Sequence, residues 1–133
     1  MTQQFEIFVQ NKPGDVSRIA EALSRNSVNI MGISTDLGSP RPMIRVITDD
    51  DASTRSALRA AKIEFSEREI DVVSLPDRPG ELAKVTKLLS KAGINIESLF
   101  ILATHGNNVN EIAIATDDGT RTREILSKYM AAQ

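Results

Sequence analysis

The apolar residues in the first half of the chain alternate between the spacing of strands and the spacing of helices. Three apolar runs are rich in β-branched residues, as strands are, and cover residues 5–9, 28–33 and 43–47. Elsewhere apolar residues recur three or four positions apart, which is the repeat of one helical face. These residues are Val16, Ile19, Ala20 and Leu23, and later Ala57, Leu58 and Ala61. With a short fourth strand predicted at 63–65, the order is strand–helix–strand–strand–helix–strand.

The second half of the chain repeats the first. Residues 11–33 align to residues 77–99 without a gap, and six of the 23 positions are identical. The identical pairs are Pro13/Pro79, Gly14/Gly80, Leu23/Leu89, Ser24/Ser90, Asn29/Asn95 and Ile30/Ile96. Such a period indicates an internal duplication, so the same elements are predicted again. The strands of the second half are predicted at 70–75, 94–101 and 111–115. Its first helix presents Leu82, Val85, Leu88 and Leu89 on one face, and its second helix presents Ile125, Leu126 and Tyr129.

The predicted fold class is therefore α+β, with two units at residues 1–67 and 68–133. The order of elements in each unit is that of the ferredoxin-like arrangement, an antiparallel sheet with both helices on one face. The second unit has few residues after its second helix, so we expect it to lack a fourth strand. A sheet edge without its strand needs cover from another element.

Composition excludes several classes of function. Lys and Arg number 16 against 18 Asp and Glu, a net charge of −2, which gives no basic surface for nucleic acid or an anionic membrane. The chain has no cysteine, so thiolate chemistry and disulfides are absent. Four Phe, one Tyr and no Trp supply few rings for base stacking. With no signal-like start and no apolar run of about 20 residues, we expect a cytoplasmic protein.

The Pro-Gly turns before the first helix of each unit are the strongest candidates for a binding site. Helix-start amides have no intrahelical partner and carry positive potential, which suits a carboxylate or phosphate. Gly14 and Gly80 lack the Cβ that would hold a ligand away from these amides. Asn11 and Asp77, at the ends of the preceding strands, are expected to face the same space.

The asparagines that begin the second strand of each unit are a second candidate. Asn29 and Asn95 follow the turn polar residue by 18 positions and are expected to approach the turn from the adjacent strand. An asparagine amide both donates and accepts, so it serves an amino group and a carboxylate together. Two interpretations stay open from the residues alone. One is a ligand site, and the other is a turn and helix cap in which the asparagine satisfies local backbone.

The two Asp/Asn-x-Pro-Gly turns, each followed by an amphipathic helix and then Val-Asn-Ile or Ile-Asn-Ile, closely resemble the ACT domain, in two tandem copies. ACT domains are regulatory modules that usually bind amino acids or similar metabolites where two units meet. The resemblance to the serine-binding version implies roles for the turn residue and the strand-start asparagine. Its ligand-contacting histidine falls on Val9 and Leu75, so serine itself is not specified. The implied ligand-binding residues are Asn11, Pro13, Gly14, Asp15, Val16, Asn29 and Ile30, with their counterparts Asp77, Pro79, Gly80, Glu81, Leu82, Asn95 and Ile96.

Other polar residues are interpreted as structural. His105 lies in a Gly/Asn-rich turn without a second histidine or cysteine to share a metal, so no metal and no cofactor is expected. The aspartates at 49–51 and 117–118 precede the second helices and are expected to cap them. Arg41 and Arg45 have no counterparts in the second unit and are expected to be solvated. No base accompanies the Ser and Thr residues, so no catalysis is predicted.

The resemblance predicts a free-standing sensor that binds an amino acid between ACT units and regulates a separate enzyme or regulator. We expect a homo-oligomer, most simply a dimer, with no nucleic acid and no membrane as partner. Asn11 and Asn29 are expected to form the cleaner site, because ionised Asp77 only accepts hydrogen bonds. The alternative is an assembly module that pairs through its sheet edges and has lost its ligand.

Overall fold

The computed structural model describes residues 2–103, 106 and 108–131. Its elements are β1 (Thr2–Phe8), α1 (Asp15–Arg25), β2 (Ile30–Asp36), β3 (Met43–Thr48), α2 (Asp51–Ala60), β4 (Ser66–Pro76), α3 (Glu81–Lys91), β5 (Ile96–Ile101), β6 (Val109–Thr116) and α4 (Gly119–Ile125), followed by a 3-10 turn at Ser127–Tyr129. The chain divides into two compact units, one covering Gln3–Arg68 and the other beginning at Glu69. Each has the α+β, ferredoxin-like order strand–helix–strand–strand–helix that the repeat predicts.

The first unit is an antiparallel sheet in the order β2-β3-β1, with both helices packed on one face. Phe5 on β1 pairs with Val46 on β3, and both side chains are buried beneath the helices. The buried side chains that join the two helices to the sheet are Phe5, Ile7, Ile19, Ala22, Leu23, Ile44, Val46, Ala57 and Leu58. Each large apolar side chain contributes about 1.5–3 kcal/mol by its removal from water. This packing holds α1 in a fixed place on the sheet.

The second unit repeats this arrangement in the order β4-β6-β5. Its core holds Val73, Leu75, Val85, Leu89, Ile94, Ile112, Ile114 and Leu126. No full fourth strand follows α4 within the described residues. In its place Met130 forms one antiparallel bridge with Val73, and the Ala131 amide donates to the Val72 carbonyl at 2.9 Å. One bridge therefore covers part of the β4 edge that was expected to be open.

The strand predicted at residues 63–65 is wrong. These residues form no strand, and pairing begins only at Ser66, where β4 starts. The apolar pattern that suggested a strand has another cause: Ile63 is buried in the core, and the Phe65 ring lies 5.7 Å from the Phe5 ring. Lys62, with φ of 58°, turns the chain out of α2 into this connection. The side chains of residues 63–65 alternate between buried or half-buried and exposed as they would in a strand, but their backbone pairs with no neighbouring strand.

The helical faces differ in part from those predicted. Ile19 and Leu23 are buried as expected, but Val16 is exposed and Ala22 takes its place against the sheet. In the second unit Leu82 and Leu88 are both 37% exposed. Val16, Ala20 and Ser24 follow each other at i+4 spacing and form a row along the side of α1; Leu82, Thr86 and Ser90 form the equivalent row on α3. These rows are called the outer rows below.

A buried carboxylate gives the second unit a pH-dependent stability. Asp71 on β4 is 5% exposed, and its Oδ1 atom lies 3.3 Å from Nη1 of Arg123 on α4. Burial raises the pKa of Asp71, and the hydrogen bond from Arg123 only partly offsets this. A raised pKa in the folded state means that protonated Asp71 favours folding, and that this contribution is lost as pH rises through the folded pKa.

We therefore expect Asp71→Asn to gain stability relative to the native chain as pH rises from the ordinary aspartate range toward 7. The variant carries no charge to bury, whereas the native carboxylate ionises over this interval. Thermal unfolding of both proteins across the interval measures the difference in melting temperature. A difference that stays constant or falls with rising pH would contradict the assignment.

Candidate functional site

Both Pro-Gly turns hold their glycine in a left-handed conformation at the start of the following helix. Gly14 has φ of 93° and Gly80 has φ of 90°, and each is the residue that caps its helix. A side chain is strained at such angles, so the backbone itself requires glycine. A Cβ at either position would have no other atom within 4 Å. The space in front of each turn is therefore open.

The carboxylates in the first turn of α1 and α3 are bound within the protein. Asp15 is buried, and its Oδ2 atom accepts from the Lys12 amide at 2.9 Å. Glu81 is also buried and pairs with Lys84 at 2.9 Å and Arg78 at 3.4 Å. The hydrogen bond from Lys84, followed by that from Arg78, lowers the pKa of Glu81. These contacts close the turns and place negative charge at the positive helix end.

The polar residues at the ends of the preceding strands differ between the units. Asn11 is exposed and has φ of 55°, a conformation that asparagine tolerates better than most residues. Asp77 accepts a hydrogen bond from Nδ2 of Asn110 at 3.0 Å, and its amide donates to the Asn108 carbonyl at 2.7 Å. The second turn is thus tied to its neighbouring loop through Asp77.

The strand-start asparagines have the same backbone partners in the two units. The Asn29 amide donates to Oδ1 of Asp49 at 3.0 Å, and the Asp49 amide donates to the Asn29 carbonyl at 3.1 Å. Asn95 and Asp117 make the same two bonds at 3.0 and 3.1 Å. Both asparagine side chains are exposed. The backbone is therefore held on both sides while the side-chain amide stays exposed, and Nδ2 of Asn29 also donates to Sδ of Met31 at 3.5 Å.

A β-bulge follows each of these asparagines. The pairing of β2 with β3 shifts between Ile30 and Gly32, and that of β5 with β6 shifts between Ile96 and Ser98. Bulges are common beside functional sites because they redirect the side chains next to them. Their recurrence at equivalent positions makes the strand start a defined local structure in both units.

A shallow groove opens at each strand start, between the outer row of the helix and the strand. The first groove measures about 380 Å³ and is lined by Ala20, Ser24, Ser27, Val28, Asn29 and Ile30. The second measures about 450 Å³ and is lined by Thr86, Ser90, Gly93, Ile94, Asn95 and Ile96. The two sets are the same six positions of the repeat. Both volumes lie in the lower part of the range of small-molecule sites.

The structure separates the turn from the strand-start asparagine of the same unit. Val9, at the end of β1, bonds to Pro42 before β3, whereas Asn29 bonds to Asp49 after β3. The 11 residues of α1 span roughly 16 Å between the two positions. The expectation that Asn29 approaches its own turn is therefore wrong, because the helix carries the chain to the other end of the sheet. The same holds for Asp77 and Asn95, which α3 separates.

The predicted site residues thus fall into two groups in each unit. Those at the turn end are Asn11, Pro13, Gly14, Asp15 and Val16, and their counterparts Asp77, Pro79, Gly80, Glu81 and Leu82. Those in the grooves are Asn29 and Ile30, and their counterparts Asn95 and Ile96. Sequence reasoning missed the groove serines Ser24 and Ser90. Their identity in the repeat was the signal that could have found them, since exposed positions have no packing reason to match.

The remaining polar candidates have structural contacts. Asp50 caps α2 by accepting from the Ser53 amide at 3.0 Å, and hydrogen bonds from the Ser53 side chain and amide lower its pKa. Asp118 caps α4 in the same way, through the Arg121 amide at 3.1 Å. Capping is therefore confirmed for Asp50 and Asp118, but not for Asp51, which is the first residue of α2, nor for Asp49 and Asp117, which bind the strand-start asparagines instead.

Arg41 and Arg45, named from the sequence, contact neighbouring residues of the first sheet. Arg41 stacks over the Phe8 ring at 4.7 Å, and Arg45 pairs in register with Glu6 across the sheet. His105 lies outside the described residues. Within residues 2–103, 106 and 108–131, no cluster of three or more acidic, His or Cys side chains is placed to hold a metal ion. No helix in the described part of the chain is long and apolar enough to cross a bilayer.

The family follows from comparison with known proteins. A family model described as an ACT domain pair matches residues 1–131, so it covers both units. The chain belongs to this family. The resemblance seen in the two Pro-Gly turns is therefore confirmed for the whole ACT domain pair.

Relatives of this ACT domain pair include an aspartokinase from Corynebacterium efficiens, 30% identical over 98 residues. The match covers 67% of this chain and 22% of that enzyme, so the chain spans about a fifth of it. Protein BT0572 from Bacteroides thetaiotaomicron has the same fold, with a TM-score of 0.86, 27% identity and coverage of 96% of this chain and 88% of that one. The ligand-free regulatory subunit of aspartate kinase from Thermus thermophilus has a TM-score of 0.66, 20% identity and coverage of 98% and 93%.

Proposed function

We propose that this ACT domain pair is a non-catalytic regulatory protein of the cytoplasm that binds an amino acid and modulates a separate enzyme or regulator. The observation that carries the proposal is the recurrence of one groove at the same six positions of both units. Packing and capping explain why buried or turn residues repeat. They do not explain why an exposed asparagine and an exposed serine repeat beside a groove.

The lining of the grooves suits an amino acid. Asn29 or Asn95 offers both a donor and an acceptor, and Ser24 or Ser90 adds a hydroxyl that does either. An ammonium group needs acceptors and a carboxylate needs donors, so these side chains serve both ends of an amino acid. The aliphatic side chains that complete each groove favour an apolar part in the ligand. The second groove has a Thr and a Gly where the first has an Ala and a Ser, so the two grooves need not prefer the same amino acid.

The predicted site residues at the turn end lead us to include a second unit in the proposal. Since the turn and the groove of one unit lie at opposite ends of its helix, no single amino acid reaches both. A ligand that contacts both groups must receive the turn from one unit and the groove from another, whether in the same chain or in a second copy. Exposed Val16 and Leu82, in the outer rows, favour a second copy and hence a homodimer.

Thermal unfolding against the twenty amino acids, each at millimolar concentration, tests the proposed function. A ligand at 100 times its Kd stabilises the folded state by about 2.7 kcal/mol, which corresponds to a shift of several degrees for a chain of this size. We expect one or two L-amino acids to give such a shift and their D-enantiomers to give none. No shift with any amino acid would contradict an amino-acid sensor. If light scattering then showed a stable dimer, the assembly module would be the better account.

A further inference from the structure

Each strand-start asparagine, which precedes the first strand of a β-hairpin, is held by the aspartate that follows the second strand of the same hairpin. Asn29 and Asp49 exchange two hydrogen bonds although they lie 20 positions apart, and Asn95 and Asp117 do so at 22 positions. The corresponding bonds agree in length to 0.1 Å in the two units. The loop between the paired strands is two residues longer in the second unit, so the contact persists although the loop does not.

The Asn29 amide bonds to a side chain because it lies at the end of the sheet, beyond the last backbone pair. Ile30 on β2 pairs with Thr48, the last residue of β3, and the next residues outward, Asn29 and Asp49, lie just beyond this last pair of the ladder. The Asp49 amide makes an ordinary ladder bond to the Asn29 carbonyl. The Asn29 amide bonds to the Asp49 carboxylate, because the chain turns into α2 after this residue. A bond to an ionised acceptor is stronger than one to a neutral carbonyl.

The neighbouring aspartate has a separate role. Asp50 binds the Ser53 amide and hydroxyl and so caps α2. In the second unit Asp118 caps α4 in the same way, while Asp117 binds Asn95. Two adjacent carboxylates thus divide two tasks, helix capping and fixing the strand start. The pair is repeated in both units.

We propose that Asp49 and Asp117 are positioning residues of the two grooves, which hold the Asn29 and Asn95 backbone so that each amide side chain faces its groove. The inference rests on the proposed function for its binding consequence, but the positioning is measurable without a ligand. The two backbone bonds and the bulge that follows fix the direction in which the asparagine side chain leaves the strand. The backbone is therefore ordered before a ligand arrives, which lowers the entropy cost of binding.

Hydrogen exchange of single amides by NMR tests the positioning in the full chain. We expect Asp49→Ala to speed exchange of the Asn29 amide about tenfold or more, because that amide loses a charged acceptor. The matched control is Asp50→Ala, one residue away, which removes the helix cap and leaves Asn29 protected. Asp49→Asn keeps an oxygen acceptor and should retain most of the protection. Unchanged exchange at Asn29 in Asp49→Ala, or an equal change in Asp50→Ala, would overturn the proposal.

The second arm measures binding of the amino acid that gives the largest thermal shift with the native chain. We expect Asp49→Ala to raise its Kd at the first groove about tenfold and Asp49→Asn to restore most of the affinity, while Asp50→Ala lowers the melting temperature alone. Asp117→Ala and Asp118→Ala repeat the comparison at the second groove. Equal losses of affinity in Asp49→Ala and Asp50→Ala would mean that Asp49 affects binding only through the stability of the fold, which contradicts a positioning role. A native chain that binds none of the twenty contradicts the proposed function, and the exchange arm then decides the positioning by itself.

Discussion

Replacing both Asn29 and Asn95 by alanine is expected to abolish the amino-acid-induced rise in melting temperature and to leave the ligand-free protein nearly unchanged. Both side chains are exposed, so the cost to folding should stay within about 0.5 kcal/mol. A hydrogen bond to a charged ligand group contributes about 1.5–3 kcal/mol, which is roughly a ten- to hundredfold change in affinity. Thermal unfolding with and without the ligand, together with calorimetric titration, measures both quantities.

The two single variants and one control complete this experiment. Asn29→Ala and Asn95→Ala report which groove binds, since each should remove one set of sites. Asn26→Ala is the matched control, because Asn26 lies near the same end of α1 but does not line the groove. The repeat already has alanine at the equivalent position, Ala92. A double variant that keeps the native ligand shift would exclude the grooves as the site, even if the chain binds an amino acid elsewhere.

The repeat is what made the fold predictable. A single strand-like run or Pro-Gly pair is ambiguous, but a second copy at a fixed offset gives each element an independent second observation. Gly14 and Gly80 illustrate this, since both take φ near 90° at the start of a helix. The strand predicted at 63–65 had no counterpart in the second unit, and it is the one that the structure does not contain.

The site was harder to predict, because its contacts join residues far apart in the chain. Asp49 and Asp50 have identical chemistry and both precede a helix, so sequence gives the same capping prediction for each. Only the register of β3 shows that Asp49 lies opposite Asn29. The separation of Asn11 from Asn29 was accessible from sequence, since a helix of 11 residues must carry the chain across the unit. The neighbouring strand suggests proximity only when its direction is left out, because β2 begins at the end of the sheet opposite to the turn.

The outer rows show a further limit of apolar periodicity. Val16 and Leu82 satisfy the i, i+3, i+4 pattern as well as Ile19 and Val85 do, yet only the latter two are buried. A helix against a small sheet buries a narrow stripe, and the pattern of apolar residues here is wider than that stripe. The excess apolar residues lie on the exposed side of each helix. Apolar surface of this kind is typical of a binding or assembly face.

Two adjacent leucines of α3 give the sharpest test of this distinction, and Leu89→Ala is expected to destabilise the chain by about 2–5 kcal/mol. Leu89 is fully buried among Val73, Val85 and Ile114, so its removal leaves a cavity that the strands cannot close. Leu88→Ala, one residue away, should cost less than about 1 kcal/mol, since Leu88 is 37% exposed. Both changes remove the same atoms from the same helix, and alanine favours the helix in each case.

Urea unfolding followed by circular dichroism measures both free energies. A loss of 2–5 kcal/mol is a large part of the 5–15 kcal/mol that holds a typical domain folded, so Leu89→Ala should unfold at a clearly lower urea concentration than Leu88→Ala. Leu23→Ala repeats the test in the first unit, where Leu23 is the identical core position of the repeat and Ala22 occupies the position of Leu88. Equal costs for Leu88 and Leu89 would mean that the exposed face of α3 that carries Leu88 is packed in solution. A ligand or a second copy on that face would be the physical reason, because either would bury Leu88 without changing Leu89.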